Sequence, residues 1–302
     1  MSAAGGPETR SARGRARVSA ALWRRPWLQA GLTITPPLAW FLVIYLASLV
    51  ALLVTAFWSV NPFTNQLEHN LTLANFRHLL TATYLHIIWR TVVMAALVTL
   101  TDAVLALPFA YYMARVATNR IRSLLFMAVL IPLWASYLAR IYAWIVILTK
   151  GGTLDWAFRH VGLPEPDIGY TNTAMWLVFS YIWLPFMIIP VYTALERIPD
   201  SLIEASSDLG ARNFRTLRAV VLPMALPGLV AGSIFTFSLT LGDFITPLLI
   251  GGTSSNLIGN VIYDNIGTAN NLPFAAALAI VPILIMTIYL LAARAVGAFE
   301  AM

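Results

Sequence analysis

Two carboxylates stand where an ionised side chain is costly: Asp102 and Asp243 both fall inside long apolar runs. An acid at such a depth is a functional candidate by default, because exposure to lipid is prohibitive and some partner must hold it. The chemistry it suits is the passage of a cation, whose own charge is costly to carry unpaired across about 30 Å of hydrocarbon. Asp243 is the stronger candidate. It follows Gly242 and stands three residues ahead of Thr246-Pro247, where a broken helix could expose backbone carbonyls to a cavity. The alternative is a cap or salt bridge that only shapes the kink. For Asp102 the alternatives are an ion pair with Arg140 or hydrogen bonds to Thr99 or Thr101. Phe244 beside Asp243, Trp134 and Tyr137 in one apolar run, and Trp176, Tyr181 and Trp183 in the next could offer faces to a cation. Interfacial belts and lipid packing account for most such aromatics.

Other chemistries lack their residues. His69, His78, His86 and His160 have no H-E-x-x-H spacing and no carboxylate at helical distance, so no metal site is expected. There is no G-x-S-x-G, and no nucleophile is paired with a base. The single lysine, Lys150, follows Thr149 rather than Gly, which excludes a G-x-x-x-x-G-K-[ST] phosphate loop. Cysteine is absent, and with it any thiolate site or disulfide. The chain is expected to be no enzyme by itself and to bind no cofactor.

The elements that must position these residues are apolar helices. Of 302 residues, 59% are hydrophobic and 11% charged, against about 25% charged in an ordinary soluble domain. Too few charges remain to cover a soluble core, so lipid must solvate most of the chain. Runs of about 20 apolar residues suffice to cross a bilayer. Six are found: Thr35 to Val60, Leu85 to Met113, Ser123 to Leu148, Thr173 to Leu195, Leu226 to Ile250 and Phe274 to Val296. The expected fold is thus an all-α membrane protein. Fourteen arginines, from Arg10 to Arg294, fall on one side of these spans, while the other has only Arg77, Lys150 and Arg159. The net charge of +6 therefore reads as topology, with both termini cytoplasmic, and not as a nucleic-acid surface. Residues 1–30 form a basic cytoplasmic tail, disordered to about residue 18, with Val18 to Ala30 either an interfacial helix or a retention tail. Residues 31–302 form the transmembrane domain. Gly251 to Pro273, free of Lys and Arg, reads as an outer re-entrant or lid region or else an ordinary loop.

The long cytoplasmic loop 196–223 has a helical grammar of its own. Pro199 and Asp200 open a turn, and Ser201 with Glu204 three residues on makes a capping box. Gly210 ends the short helix; a second starts near Asn213, carries Arg212, Arg215 and Arg218 toward the headgroups, and is broken by Pro223. A loop helix packed beneath the bundle is the plainer reading.

Glu204-Ala205-Ser206, then Gly210, then Val220-Val221-Leu222-Pro223 resembles the E-A-A-x3-G-x9-I-x-L-P signature of ABC-importer permeases, with Ser206 for the second Ala and Val220 for Ile. Pro132 to Trp144, and Leu241 to Gly252 followed by Leu257-Ile258-Gly259-Asn260, are similar to the spermidine/putrescine subgroup, most of all to the first permease of its pair. The resemblance implies a type I importer fold in the bacterial inner membrane. It also implies a coupling helix that docks on a separate ATPase, where ATP and Mg would bind. The implied partners are a second permease, two ATPase subunits and an extracytoplasmic substrate-binding protein. Arg140 would then neutralise a carboxylate, face the partner permease or dock the binding protein. The rival functions are import of another small solute, such as an amino-acid-like, phosphonate or sulfur compound, and ion-coupled secondary transport. The latter would show an internal repeat, and none is found.

Overall fold

A run solvated by lipid must satisfy every backbone N–H and C=O within itself, and helices do this. The computed structural model describes residues 26–61, 63–253 and 255–295. The chain divides into two units, 1–55 and 56–302. In the first, helix α1 (Pro26–Thr55) is unbroken. The expected tail helix over 18–30 lies outside the described residues except for 26–30, which are the first turns of α1.

The second unit opens with a hairpin of β1 (Ser59–Val60) and β2 (Leu67–Glu68) and the short helix α2 (Ala74–Leu79). Helix α3 (Ala82–Tyr111) ends in a wide π turn, Tyr112–Val116, and leads to α4 (Asn119–Trp134), α5 (Tyr137–Leu148) and α6 (Thr153–His160). Then come α7 (Asn172–Glu196), the loop helix α8 (Asp200–Asp208) and α9 (Asn213–Thr216). A second wide turn, Leu217–Val221, feeds α10 (Leu222–Gly242), followed by α11 (Ile245–Ile250), α12 (Ile258–Ile266) and α13 (Leu272–Ala295).

Five helical segments are long and apolar enough to cross a membrane: Thr33–Thr55, Ala82–Val116, Asn172–Glu196, Asn213–Gly242 and Leu272–Ala295. The sixth expected span, Ser123 to Leu148, is not one helix. It breaks at Ala135–Ser136, and the segments on either side are bent by 96°. Pro132 removes a helical N–H in the last turn of α4, and Ala135 and Ser136 take extended backbone with ψ of 143° and 135°. Two further expectations are corrected around the loop. Pro223 does not break a helix: the Leu222 N–H bonds to Leu217 O five residues back, and the widened turn carries the chain past the proline as one helix from Asn213 to Gly242. The Ser201–Glu204 capping box is not formed, because α8 starts at Asp200 behind Pro199, which leaves Ser201 inside the helix.

Helix α7 lies at the centre of this unit and packs against α3 and α10. Its approach to α10 runs over Gly228 and Gly232, four residues apart on one face, where backbones can come close. A Cβ on Gly232 would lie 2.6 Å from Met187 Sδ, and one on Gly228 2.6 Å from Pro190 O. Two apolar clusters fill the unit. One gathers Ala106, Met113, Val191, Leu195 and Val221 toward the α8 end; the other gathers Val98, Ile141, Phe179, Ile182 and Leu257.

Candidate functional site

The two helix breaks meet. Tyr137 is the first residue of α5, Asp243 is the residue that ends α10, and the Tyr137 hydroxyl donates to Asp243 Oδ2. Asp243 leaves the helix with extended backbone (φ −74°, ψ 132°) and turns its carboxylate over the start of α11. Oδ1 accepts the N–H of Ile245 at 2.8 Å and of Thr246 at 3.4 Å. Two donors that an N-terminal first turn leaves unpaired are thereby satisfied. Oδ2 also accepts the Thr246 hydroxyl at 2.7 Å, so four donors surround one carboxylate. Helix α12 closes the arrangement from another side. Its Gly259 lies so near that a Cβ would stand 2.3 Å from Asp243 O, and Ile258 N–H donates to Thr91 Oγ1 of α3 at 2.9 Å. The expected lid region 251–273 therefore contains a helix whose first turn is buried beside Asp243.

A cavity of about 320 Å³ opens at this junction. Asp243, Phe244, Tyr137 and Trp183 line it, together with Ser238, Leu239 and Gly242 at the end of α10. The rings of Tyr137 and Trp183 stack at 5.8 Å, and Phe244 stacks on Tyr263 of α12 at 4.8 Å. The Arg140 guanidinium carbon lies 5.8 Å from the centre of the Tyr137 ring. Arg140 forms no salt bridge with a carboxylate among the described residues.

The other path candidates lie elsewhere. Trp134, the last residue of α4, is 89% exposed and does not line the cavity. Asp102 is fully buried on α3, between Val98 of one apolar cluster and Ala106 of the other, and neither of its oxygens has a hydrogen-bond partner. The partners considered for it do not serve: the Thr99 and Thr101 hydroxyls donate to Ala95 O and Leu97 O within their own helix, and Arg140 does not pair with it. Among the described residues no group of three or more His, Asp or Glu side chains could hold a metal.

At the other end of the bundle, α8 presents Glu204 and Ala205 to solvent. Gly210 takes φ 78°, a left-handed conformation that an L side chain resists. The N–H groups of Gly210 and Ala211 return to Ser207 O at 2.8 Å and Ser206 O at 3.1 Å, which is the double bond of a Schellman end. Ser206 Oγ pairs with Thr216 Oγ1 at 3.0 Å, a contact an alanine there would lack. Leu222 is half-buried and Pro223 exposed. Residue typing alone had passed over Gly228, Gly232 and Gly259; the four-residue spacing of the first two was a legible signal of close helix approach.

The family of binding-protein-dependent transport system inner membrane components matches residues 103–299. The chain belongs to that family. The permease is 45% identical over 302 residues, 96% of each chain, to the inner membrane ABC transporter permease protein YdcU of Escherichia coli. It is 33% identical over 222 residues to the spermidine/putrescine transport system permease protein PotB of the same organism, covering 73% of this chain and 80% of that one. Its fold is similar to a chain in the crystal structure of a bacterial ABC transporter involved in the import of the acidic polysaccharide alginate. The TM-score is 0.74 at 18% identity, covering 93% of this chain and 98% of that one. The permease is accordingly a multi-pass inner-membrane transport subunit of type I importer fold, and ATP hydrolysis belongs to a separate subunit.

Proposed function

We propose that the permease carries polyamines such as spermidine and putrescine inward, and that Asp243 with Tyr137, Trp183 and Phe244 is a station for an ammonium group on the way. The observation that carries this reading is the cavity at the meeting of two broken helices, where one carboxylate and three aromatic rings face the same space. The last carbonyls of α10 have no intrahelical donor and form the negative end of that helix, which favours a cation at Leu239 to Gly242. Aromatic faces add attraction for a desolvated ammonium. The relatives named for spermidine and putrescine point the same way.

The rest of the machine follows from the family. A second permease completes the path, two ATPase subunits bind ATP, and an extracytoplasmic binding protein delivers the solute. Glu204, Ala205, Ser206 and Gly210 on α8, with Leu222 and Pro223 beyond it, form the element that docks on the ATPase. The exposed Leu202, Leu209 and Phe214 give that surface apolar anchors. The crowding of arginines at the α8 end supports a cytoplasmic position for this face and for both termini. Asp102 and Trp134 belong to the path only if another conformation opens onto them.

The test is ATPase activity of the assembled complex in lipid with its binding protein, titrated with spermidine, putrescine and neutral or anionic solutes, in wild type and Asp243→Asn. Stimulation by polyamines alone, lost in the variant, is the expected result. Stimulation by a non-cationic solute would discard the polyamine reading and leave the importer.

A further inference from the structure

Arg115 does more than mark one side of a membrane. It sits in the wide turn that ends α3, and its side chain is only 13% exposed. Its guanidinium touches three successive points of another part of the chain. Nη2 donates to Leu195 O at 2.7 Å and also to Ile198 O, while Nη1 meets Asp200 Oδ1 at 2.5 Å. Leu195 is in the last turn of α7, Ile198 is in the link, and Asp200 is the first residue of α8. A helix end leaves its last carbonyls without donors, and Arg115 supplies them. The planar fork of guanidinium reaches several acceptors at once, as the point charge of an ammonium does not. Arg122 steadies the turn from behind: its Nε donates to Met113 O at 3.0 Å and its Nη2 to Ala114 O at 3.2 Å. Helix α8 is thus tied at its first residue to α3 and at Ser206 to the helix that continues into α10.

We propose that Arg115 is a positioning residue for energy coupling: it locks the start of α8 to the ends of α3 and α7, so that a push on α8 moves these spans with it. The inference rests on the reading of α8 as the ATPase-docking element and adds the route by which the docked helix moves the bundle. Without the fork, α8 keeps its tie toward α10 and slides against α3.

The absence of cysteine lets spin labels be placed without background. One label goes on Ser201→Cys in α8 and one on Val116→Cys in the wide turn, in the complete complex in lipid, without nucleotide and trapped with ATP and vanadate. With Arg115 intact, the distance between labels agrees in the two states to within about 2 Å; in Arg115→Lys it shifts by about 5 Å, the scale of one helical turn. Asp200→Asn changes a side chain that is 81% exposed, so folding is not at stake, and gives a smaller shift in the same direction. A distance that is constant in the wild type and in both variants, or that already shifts in the wild type, overturns the clamp. Glu204→Lys keeps the two readings apart. It is expected to release the ATPase subunit, and retention would count against docking through α8 whatever the Arg115 variants do.

Discussion

Asp243 and Asp102 are both buried carboxylates among apolar helices, yet one has four donors and the other has none. The difference is made by the backbone around them. Asp243 sits where a helix ends and another begins, so free N–H groups are at hand, and the second break brings the Tyr137 hydroxyl from 106 residues away. Asp102 sits in mid-helix, where every nearby N–H is already used and the neighbouring hydroxyls bond to their own carbonyls. A buried acid is therefore held by helix ends more readily than by helix interiors.

The contrast can be broken from either side. Asp243→Asn should lower solute-stimulated ATPase at least tenfold, which is roughly 1.4 kcal/mol of cation binding, with little change in thermal midpoint. Asp243→Ala should add the loss of the α11 cap, about 1 to 2 kcal/mol of stability, read by thermal unfolding of the purified complex. Gly259→Ala forces a Cβ to within 2.3 Å of Asp243 O, and the displacement should cost about 1 to 3 kcal/mol and impair transport. Asp102→Asn goes the other way. Removing an unpartnered buried charge at constant size should leave the midpoint unchanged or raise it, and a fall of more than about 1 kcal/mol would reveal a partner in another state. Thr246→Val removes one of the two hydroxyl donors to Asp243 Oδ2, worth about 0.5 to 1.5 kcal/mol. Smallest is Ser201→Ala, expected within about 0.5 kcal/mol because Ser201 lies inside α8 and caps nothing.

What could be read from the sequence was whatever is local. Apolar runs announced the spans, since length and composition alone decide whether a helix can cross a bilayer, and Gly210 announced the end of α8 because a left-handed position favours glycine. The Glu204 to Pro223 string named the family outright, and residues 103–299 bear that out. What stayed hidden is set by distance. Pro132 was visible, but nothing near it says that the chain turns through 96° two residues later to bring Tyr137 against Asp243. Pro223 pointed to a helix end because proline ordinarily does so, and the wide turn that rescues it leaves no mark in composition. The loneliness of Asp102 was equally unreadable, for it depends on which way Thr99 and Thr101 turn their hydroxyls.

The turn at Leu217–Val221 holds one residue more than an α-helix would use over the same rise. It is a place where chain length can change by one without penalty to what lies beyond. Deleting a single residue there restores ordinary winding and leaves Gly228 and Gly232 facing α7. The same deletion a few positions later, between Pro223 and Gly228, would rotate the remainder of α10 by about 100° relative to its anchor. The segment that joins the loop to the bundle thus carries its own tolerance for insertion and deletion, confined to five residues.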